Sequence, residues 1–227
     1  TLDLTQGESG QLGATTSKGS AAMKFYNSVG PNPHVVRMFM AEKGLDIPQQ
    51  QVDLMKGENR QPPYAEKVNV AGQLPALELD DGAVICEITA ICEYFDEISP
   101  EPPLIGTTPE ERAETRMWTR RIDLNIVEPL GSGFRAAEGR ALFESRFRLV
   151  RPEAAEDLKA IARDKLLWLD GLMDGHDYVC GDRFTLADIL LFCFLAFGAQ
   201  VGQPMPAEAK NLPAWFERVK ARPSATA

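Results

Sequence analysis

The sequence predicts two domains, a mixed α/β domain followed by an all-helical one. Three observations carry that prediction. From Met23 to Ile98 the pattern runs strand, helix, strand, irregular helix, hairpin, helix, an alternation that calls for a mixed sheet with helices on its faces. Four prolines between Ser99 and Pro109 then interrupt all periodicity and mark a boundary. Beyond Pro109 every periodic segment follows the helical repeat. The expected division is a flexible extension or expression remnant over 1–22, the α/β domain over 23–99, a linker over 100–108 and the helical domain over 109–227. A chain of 227 residues has room for both.

The elements can be justified in order. Residues 1–22 are rich in Gly, Ser, Thr and Gln and show no hydrophobic period. Met23 to Ser28 reads as a strand ending at the turn residues Gly30 and Pro31. A helix follows, with Asn32 expected as its cap, Pro33 at its first position, Val35, Val36, Phe39 and Met40 on its buried face and Lys43-Gly44 at its close. Gln50 to Leu54 reads as a second strand, and Lys56 to Ala71 as a polar, proline-broken stretch holding a short irregular helix. Leu77 to Leu79 and Val84 to Cys86 flank Asp80-Asp81-Gly82 as an antiparallel hairpin. Thr89 to Ile98 is a helix with Ala90, Ile91, Tyr94 and Phe95 facing inward.

In the second domain, helices are expected from Pro109 to Phe134 with a bend near Pro129, from Pro152 to Met173, from Leu186 to Gln200 and from Pro213 to Ala221. The segment from Arg135 to Arg151 is helical by composition. Thr185 followed by Asp188 forms a capping-box-like pair, and Phe184 against Ile189 suits a hydrophobic staple.

Composition narrows the function. The net charge of -9 argues against nucleic acid or anionic lipid as the main partner, because both demand a basic footprint. No apolar run approaches the ~20 residues that cross a bilayer, and no secretion signal precedes the first domain, so the expected location is cytoplasmic. Cys86, Cys92, Cys180 and Cys193 form no C-x-x-C pair and no metal-like spacing with His34 or His176, so no metal is expected. Both histidines read as structural or surface residues.

The stretch Gly72-Gln73-Leu74-Pro75-Ala76-Leu77-Glu78, with Asp80-Asp81-Gly82 and then Glu87 ahead of Ala90-Ile91 and Tyr94, resembles the cytosolic glutathione transferase superfamily. Pro103-Leu104-Ile105-Gly106 with Thr108-Pro109-Glu110-Glu111-Arg112 resembles its interdomain linker. Gly181 to Asp188 resembles its folding motif, and Asn211 to Trp215 with Arg222-Pro223 its C-terminal end. Together these cover Met23 to Pro223 in the family's order.

The resemblance implies a thioredoxin-like first domain that binds glutathione as co-substrate, a helical second domain that receives a hydrophobic electrophile, and a homodimer. It implies a cis bond before Pro75, so that Leu74 pairs with the cysteinyl backbone as an added strand would. Glu87 matches the acidic residue at the γ-glutamyl end. Ile88 stands where a serine is usual, with Thr89 adjacent and the helix-start N–H groups available to a carboxylate. Arg60 resembles the position that meets the glycyl carboxylate, with Gln73 helping and Lys56 as a substitute.

A free thiol near pKa ~8.5 is only slightly ionised at neutral pH, so the enzyme must stabilise thiolate. The loop that carries the catalytic residue reads Ser28-Val29-Gly30-Pro31-Asn32-Pro33, with Gly30 nearest the usual serine. Ser28 and Asn32 are the catalytic candidates, ahead of Tyr26, and the absence of a loop cysteine disfavours the thiol-exchange branches. On the first helix of the second domain, Arg116 and Arg120 share a face with Asp123, and Met117 lies nearby. Arg116, Met117 and Arg120 are the expected substrate pocket, with intersubunit or surface ion pairs as the alternative for the arginines. The functional alternatives are a glutathione-binding scaffold without turnover, or a specialised ether-cleaving or dehalogenating enzyme.

Overall fold

The computed structural model describes residues 23–227, so the expectation for 1–22 lies outside the described residues. In the first domain, β1 (Lys24–Asn27) leads into α1 (Pro31–Glu42), then β2 (Gln49–Gln51). A 3-10 turn at Glu58–Arg60 and the short α2 (Tyr64–Lys67) form the irregular stretch. The hairpin strands β3 (Ala76–Glu78) and β4 (Val84–Cys86) follow, then α3 (Ile88–Ile98). The sheet order is β2-β1-β3-β4, with β1 parallel to β2 and antiparallel to β3, and β3 antiparallel to β4.

Several local expectations need correction: β2 stops at Gln51 and does not reach Leu54, within Arg135 to Arg151 only Arg135, Ala136 and Arg140–Phe143 are helical, and two more concern α1 and α3. Helix α1 begins at Pro31, not Pro33, with Gly30 at the cap position and Asn32 inside the first turn. Its start is set by Pro31, whose fixed φ suits the first helical position and whose missing N–H is no loss there. On α3 the inward residues are Ile91, Cys92, Phe95 and Asp96, while Ala90 is exposed. Asp96 is drawn inward by Lys43, whose Nζ donates to Oδ1 at 2.5 Å and to the carbonyls of Ser99, Pro100 and Pro102. That lysine ties the ends of α1 and α3 to the proline-rich connection.

The second domain is helical. Its first helix α4 (Pro109–Ile122) starts on a Thr108–Glu111 capping box and passes through a π turn at Asp123–Val127 into α5 (Glu128–Ala136). A π segment at Asp123–Val127 thus lies just ahead of Pro129, which lacks the N–H to continue an ordinary ladder. Short α6 (Arg140–Phe143), α7 (Ala155–Leu172), α8 (Leu186–Gln200) and α9 (Leu212–Lys220) complete it. Helix α8 is buried over Leu186 to Leu195 and packs on both α1 and α4. Because α1 belongs to the first domain, α8 joins the two domains in one large hydrophobic cluster, beside which Tyr26, Val52, Tyr64 and Ala76 form a second, smaller one.

The start of α8 is held by Asp188, which accepts from the main-chain N–H of Thr185 and Val179 and from Trp215 Nε1, each at 2.9 Å. The Thr185 hydroxyl donates to the same carboxylate at 3.2 Å. The aromatic at the helix entrance, Phe184, meets Tyr178 edge-on and lies 3.8 Å beneath the Arg222 guanidinium. Arg222 and Ser224 in turn reach Glu42 at the end of α1, and His34 meets the Ala225 carbonyl at 3.1 Å. Burial pushes the His34 imidazole down, which keeps it neutral and structural.

Candidate active site

Strand register decides which loops meet. Tyr26 pairs with Ala76, and Ala76 with Cys86, so the end of β1, the start of β3 and the end of β4 lie side by side. The start of α1, the Leu74-Pro75 bond and the start of α3 therefore share one end of the sheet. The loop after β2, which leads to Arg60, leaves from that end as well, because β2 is parallel to β1.

At the first of these loops Gly30 has φ 108° and ψ 171°, a conformation open to glycine and strained for a residue with Cβ. Nothing lies within 4 Å of an added Cβ, so a side chain there would meet backbone strain and not a clash. Pro31 and Pro33 have no N–H, which leaves Asn32 as the helix-start residue that combines a main-chain donor with a side-chain amide. Asn32 is exposed and its amide has no hydrogen-bond partner among the described residues.

Ser28 is placed differently. It is buried, and its hydroxyl donates to the Val52 carbonyl at 2.7 Å, so its only proton is already engaged. Tyr26 is occupied too, its hydroxyl donating to Glu78 at 2.5 Å. Asn27 and Arg37 brace the turn, Asn27 Oδ1 accepting from the Ser28 N–H at 2.8 Å and from Arg37 at 2.7 Å.

The Leu74-Pro75 bond is cis. Leu74 is half-buried, and its main-chain N–H and carbonyl have no partner among the described residues. The two residues before it are clamped by side chains that sequence reasoning missed. Asn59 donates to the Gly72 carbonyl at 2.6 Å, while the Tyr64 hydroxyl and Asn69 amide donate to the Gln73 carbonyl at 2.6 and 3.1 Å. Asn59, Tyr64 and Asn69 are all buried, and burial pushes the Tyr64 phenol well up. Their only signal in the sequence was polar residues on either side of the proline-broken helix.

The Gln73 side chain is exposed. Arg60 is exposed as well, and its stem lies against Gly72, where a Cβ would come within 2.7 Å of Arg60 Cδ. At the other loop Glu87 has φ 73°, and among the described residues it is the non-glycine with positive φ. Its side chain is exposed ahead of α3, whose first-turn N–H groups point to the same end. Ile88 packs on the core, and Thr89 faces a cleft of about 280 Å³ between α3 and α4.

Arg116 and Arg120 line that cleft; Met117, 41% exposed, does not. Both arginines are paired. Arg116 makes two bonds to Glu93, at 3.1 and 2.9 Å, and Arg120 meets Asp123 at 3.2 Å. Among the described residues no cluster of three or more His, Cys, Asp or Glu could hold a metal, and no helix is long and apolar enough to cross a membrane.

Comparison with known proteins gives the family and the fold. The family models for the glutathione S-transferase N-terminal and C-terminal domains match residues 29–98 and 136–223. Glutathione S-transferase 2 of Saccharomyces cerevisiae is 35% identical over 201 residues, covering 86% of this chain and 84% of its own. The chain belongs to the glutathione S-transferase family. Among solved structures, a glutathione S-transferase domain-containing protein of Marinobacter aquaeolei superposes with a TM-score of 0.83 at 35% identity, over 89% of this chain and 99% of its own. The β-etherase LigF of Sphingobium superposes with a TM-score of 0.77 at 26% identity, over 90% and 97%. The transferase fold, a thioredoxin-like domain with a small mixed sheet followed by a helical domain, thus accounts for the whole described chain.

Proposed function

We propose that this transferase binds glutathione along the Leu74 edge and uses Asn32 to stabilise its thiolate for attack on a hydrophobic electrophile. The observation that carries the proposal is the contrast at the catalytic loop: Asn32 has a free amide inside the first turn of α1, whereas the Ser28 proton is engaged with Val52. An amide N–H and the Asn32 main-chain N–H lower the thiol pKa by hydrogen-bonding the anion, and the positive end of α1 adds to them. The sulfur then forms the new C–S bond, and the leaving group departs with the electron pair of the bond that breaks.

Around that centre, Leu74 offers its N–H and carbonyl to the cysteinyl unit. Glu87 and the first turn of α3 take the γ-glutamyl end, the carboxylate facing the ammonium and the helix N–H groups facing the carboxylate. Ile88 supplies no hydroxyl, and Thr89 faces the α3–α4 cleft, so this end is held by main-chain donors. Arg60 and Gln73 are assigned to the glycyl end. Because Arg116 and Arg120 are neutralised by Glu93 and Asp123, they bind substrate more weakly than free arginines would, and the apolar body of the electrophile lies against the helical domain. A cytoplasmic homodimer is the assembly proposed.

The test is calorimetric titration with glutathione alongside thiolate absorbance followed over pH. The wild type is expected to bind with a lowered thiol pKa. Asn32→Ala is expected to retain binding, return the bound thiol toward ~8.5 and lose on the order of tenfold to a hundredfold in kcat. Unchanged thiolate in that variant would exclude Asn32. Binding without any thiolate in the wild type would favour the scaffold reading, which the Gly30 and Ile88 departures support.

A further inference from the structure

A second cleft, of about 510 Å³, opens between the loop after β2 and the segment that follows α6. From the first domain it takes Lys56 and Arg60, and from the second Ser145 and Arg146; among the described residues no carboxylate lines it. Lys56 is held by Asp53 at 3.2 Å, but Arg60 has no ion-pair partner among the described residues. Arg146 reaches across the domains, its Nη2 donating to the Leu54 carbonyl at 2.9 Å. Its Nη1 is buried with no hydrogen-bond partner among the described residues.

A buried guanidinium nitrogen without an acceptor costs free energy, and a second guanidinium beside it raises that cost. Burial, and then the charge of Arg60, disfavour the cationic form of Arg146. Arginine stays charged regardless, so Arg60 and Arg146, which line the same cleft, give it a positive lining that an anion would neutralise. The aromatic rings set the two heads in place: Arg60 lies 5.8 Å from the Phe147 ring and Arg146 lies 5.5 Å from the Phe143 ring. The position of the Arg60 stem, against Gly72 and two residues from Leu74, connects this cleft to the edge assigned to glutathione.

We propose that Arg146, from the helical domain, is a specificity-determining residue that joins Arg60 in gripping the glycyl carboxylate of glutathione. This rests on the glutathione reading above. Binding of the co-substrate then bridges the two domains, and the second domain contributes to selecting glutathione as well as the electrophile.

The experiment compares glutathione with its glycyl ethyl ester by calorimetric titration of the wild type, R146Q and R60Q, with melting temperature recorded for each. The wild type is expected to prefer the free acid. R146Q is expected to weaken the free acid by about tenfold and the ester by less than about twofold, as loss of one charged hydrogen bond would. R60Q, at an exposed side chain, should do the same without disturbing the fold. Equal loss for both compounds in R146Q would mean a structural role and overturn the proposal, as would no loss for either. An effect of R146Q confined to acidic acceptor substrates would reassign the cleft to the electrophile. A wild type that bound no glutathione would overturn the glutathione reading as well, whereas unchanged binding in R146Q overturns this inference alone.

Discussion

The start of α8 and the open end of the sheet present polar groups in opposite states. At the start of α8 the Asp188 carboxylate is fully buried and takes four donors, and Thr185 is fully buried beside it. At the sheet end, Asn32, Arg60, Gln73 and Glu87 are exposed, and the Leu74 main chain has no partner among the described residues. Saturated polar groups in the interior specify a structure, because leaving any donor unmet there is costly. Unmet groups at a surface cost little until a ligand arrives, and that is what a binding site needs. The difference separates residues whose loss unfolds the protein from residues whose loss only silences it.

The largest test of that separation is Asp188→Ala. It leaves the Val179, Thr185 and Trp215 N–H groups without an acceptor, and the unfolding free energy should fall by roughly 3 kcal/mol or more. The fraction that remains folded should bind glutathione as before, measured by titration below the melting temperature. A variant of normal stability would erase the distinction. Asn32→Ala should show the reverse pattern, with stability unchanged to within about 0.5 kcal/mol, as expected of an exposed site.

A smaller effect is expected one turn away. Thr185→Ala removes the hydroxyl of the cap and keeps Asp188 and its other donors, so it should cost on the order of 1 kcal/mol. The check is the urea midpoint at constant slope, and an unchanged midpoint would remove the cap from the stabilising network.

The smallest effect is a dependence on pH that differs between two buried carboxylates. Burial raises Asp188 to about 6, above the ordinary 3.8. Its folded state therefore holds the proton more tightly, and its contribution to stability declines as pH rises from about 4 to about 6. Asp170 moves the other way. Burial alone would raise it, but the N–H groups of Leu212, Lys210 and Asn211 outweigh burial and hold it below its ordinary value. Its contribution is present above the unfolded value and is lost as pH falls through the folded one. Unfolding free energies of Asp188→Asn and Asp170→Asn between pH 3 and 7 should therefore change slope in opposite directions relative to the wild type, and slopes of the same sign would contradict this.

Local chemistry made much of the fold readable. The hairpin turn at Asp80-Asp81-Gly82, the Thr185–Asp188 cap and the proline run before α4 act within a few residues, so the order of strands and helices followed from spacing. The start of α1 was misread because Asn32 and Pro31 both carry helix-start signals, and only the backbone at Gly30 decides between them. Ala90 was misread because a helix face is assigned by apolar character, and the buried Lys43 to Asp96 pair drew a charged residue inward instead.

By itself the sequence determined the two-domain order, the family, and the loops that surround Pro75. Tertiary structure alone decided which polar groups in those loops are free. Ser28 bonded to Val52, Arg116 paired with Glu93, and Arg60 lining one cleft with Arg146 are meetings of segments far apart in the chain. Such contacts depend on how whole elements pack, and no local spacing encodes whether a hydroxyl or a guanidinium will meet a partner or be left to hold one.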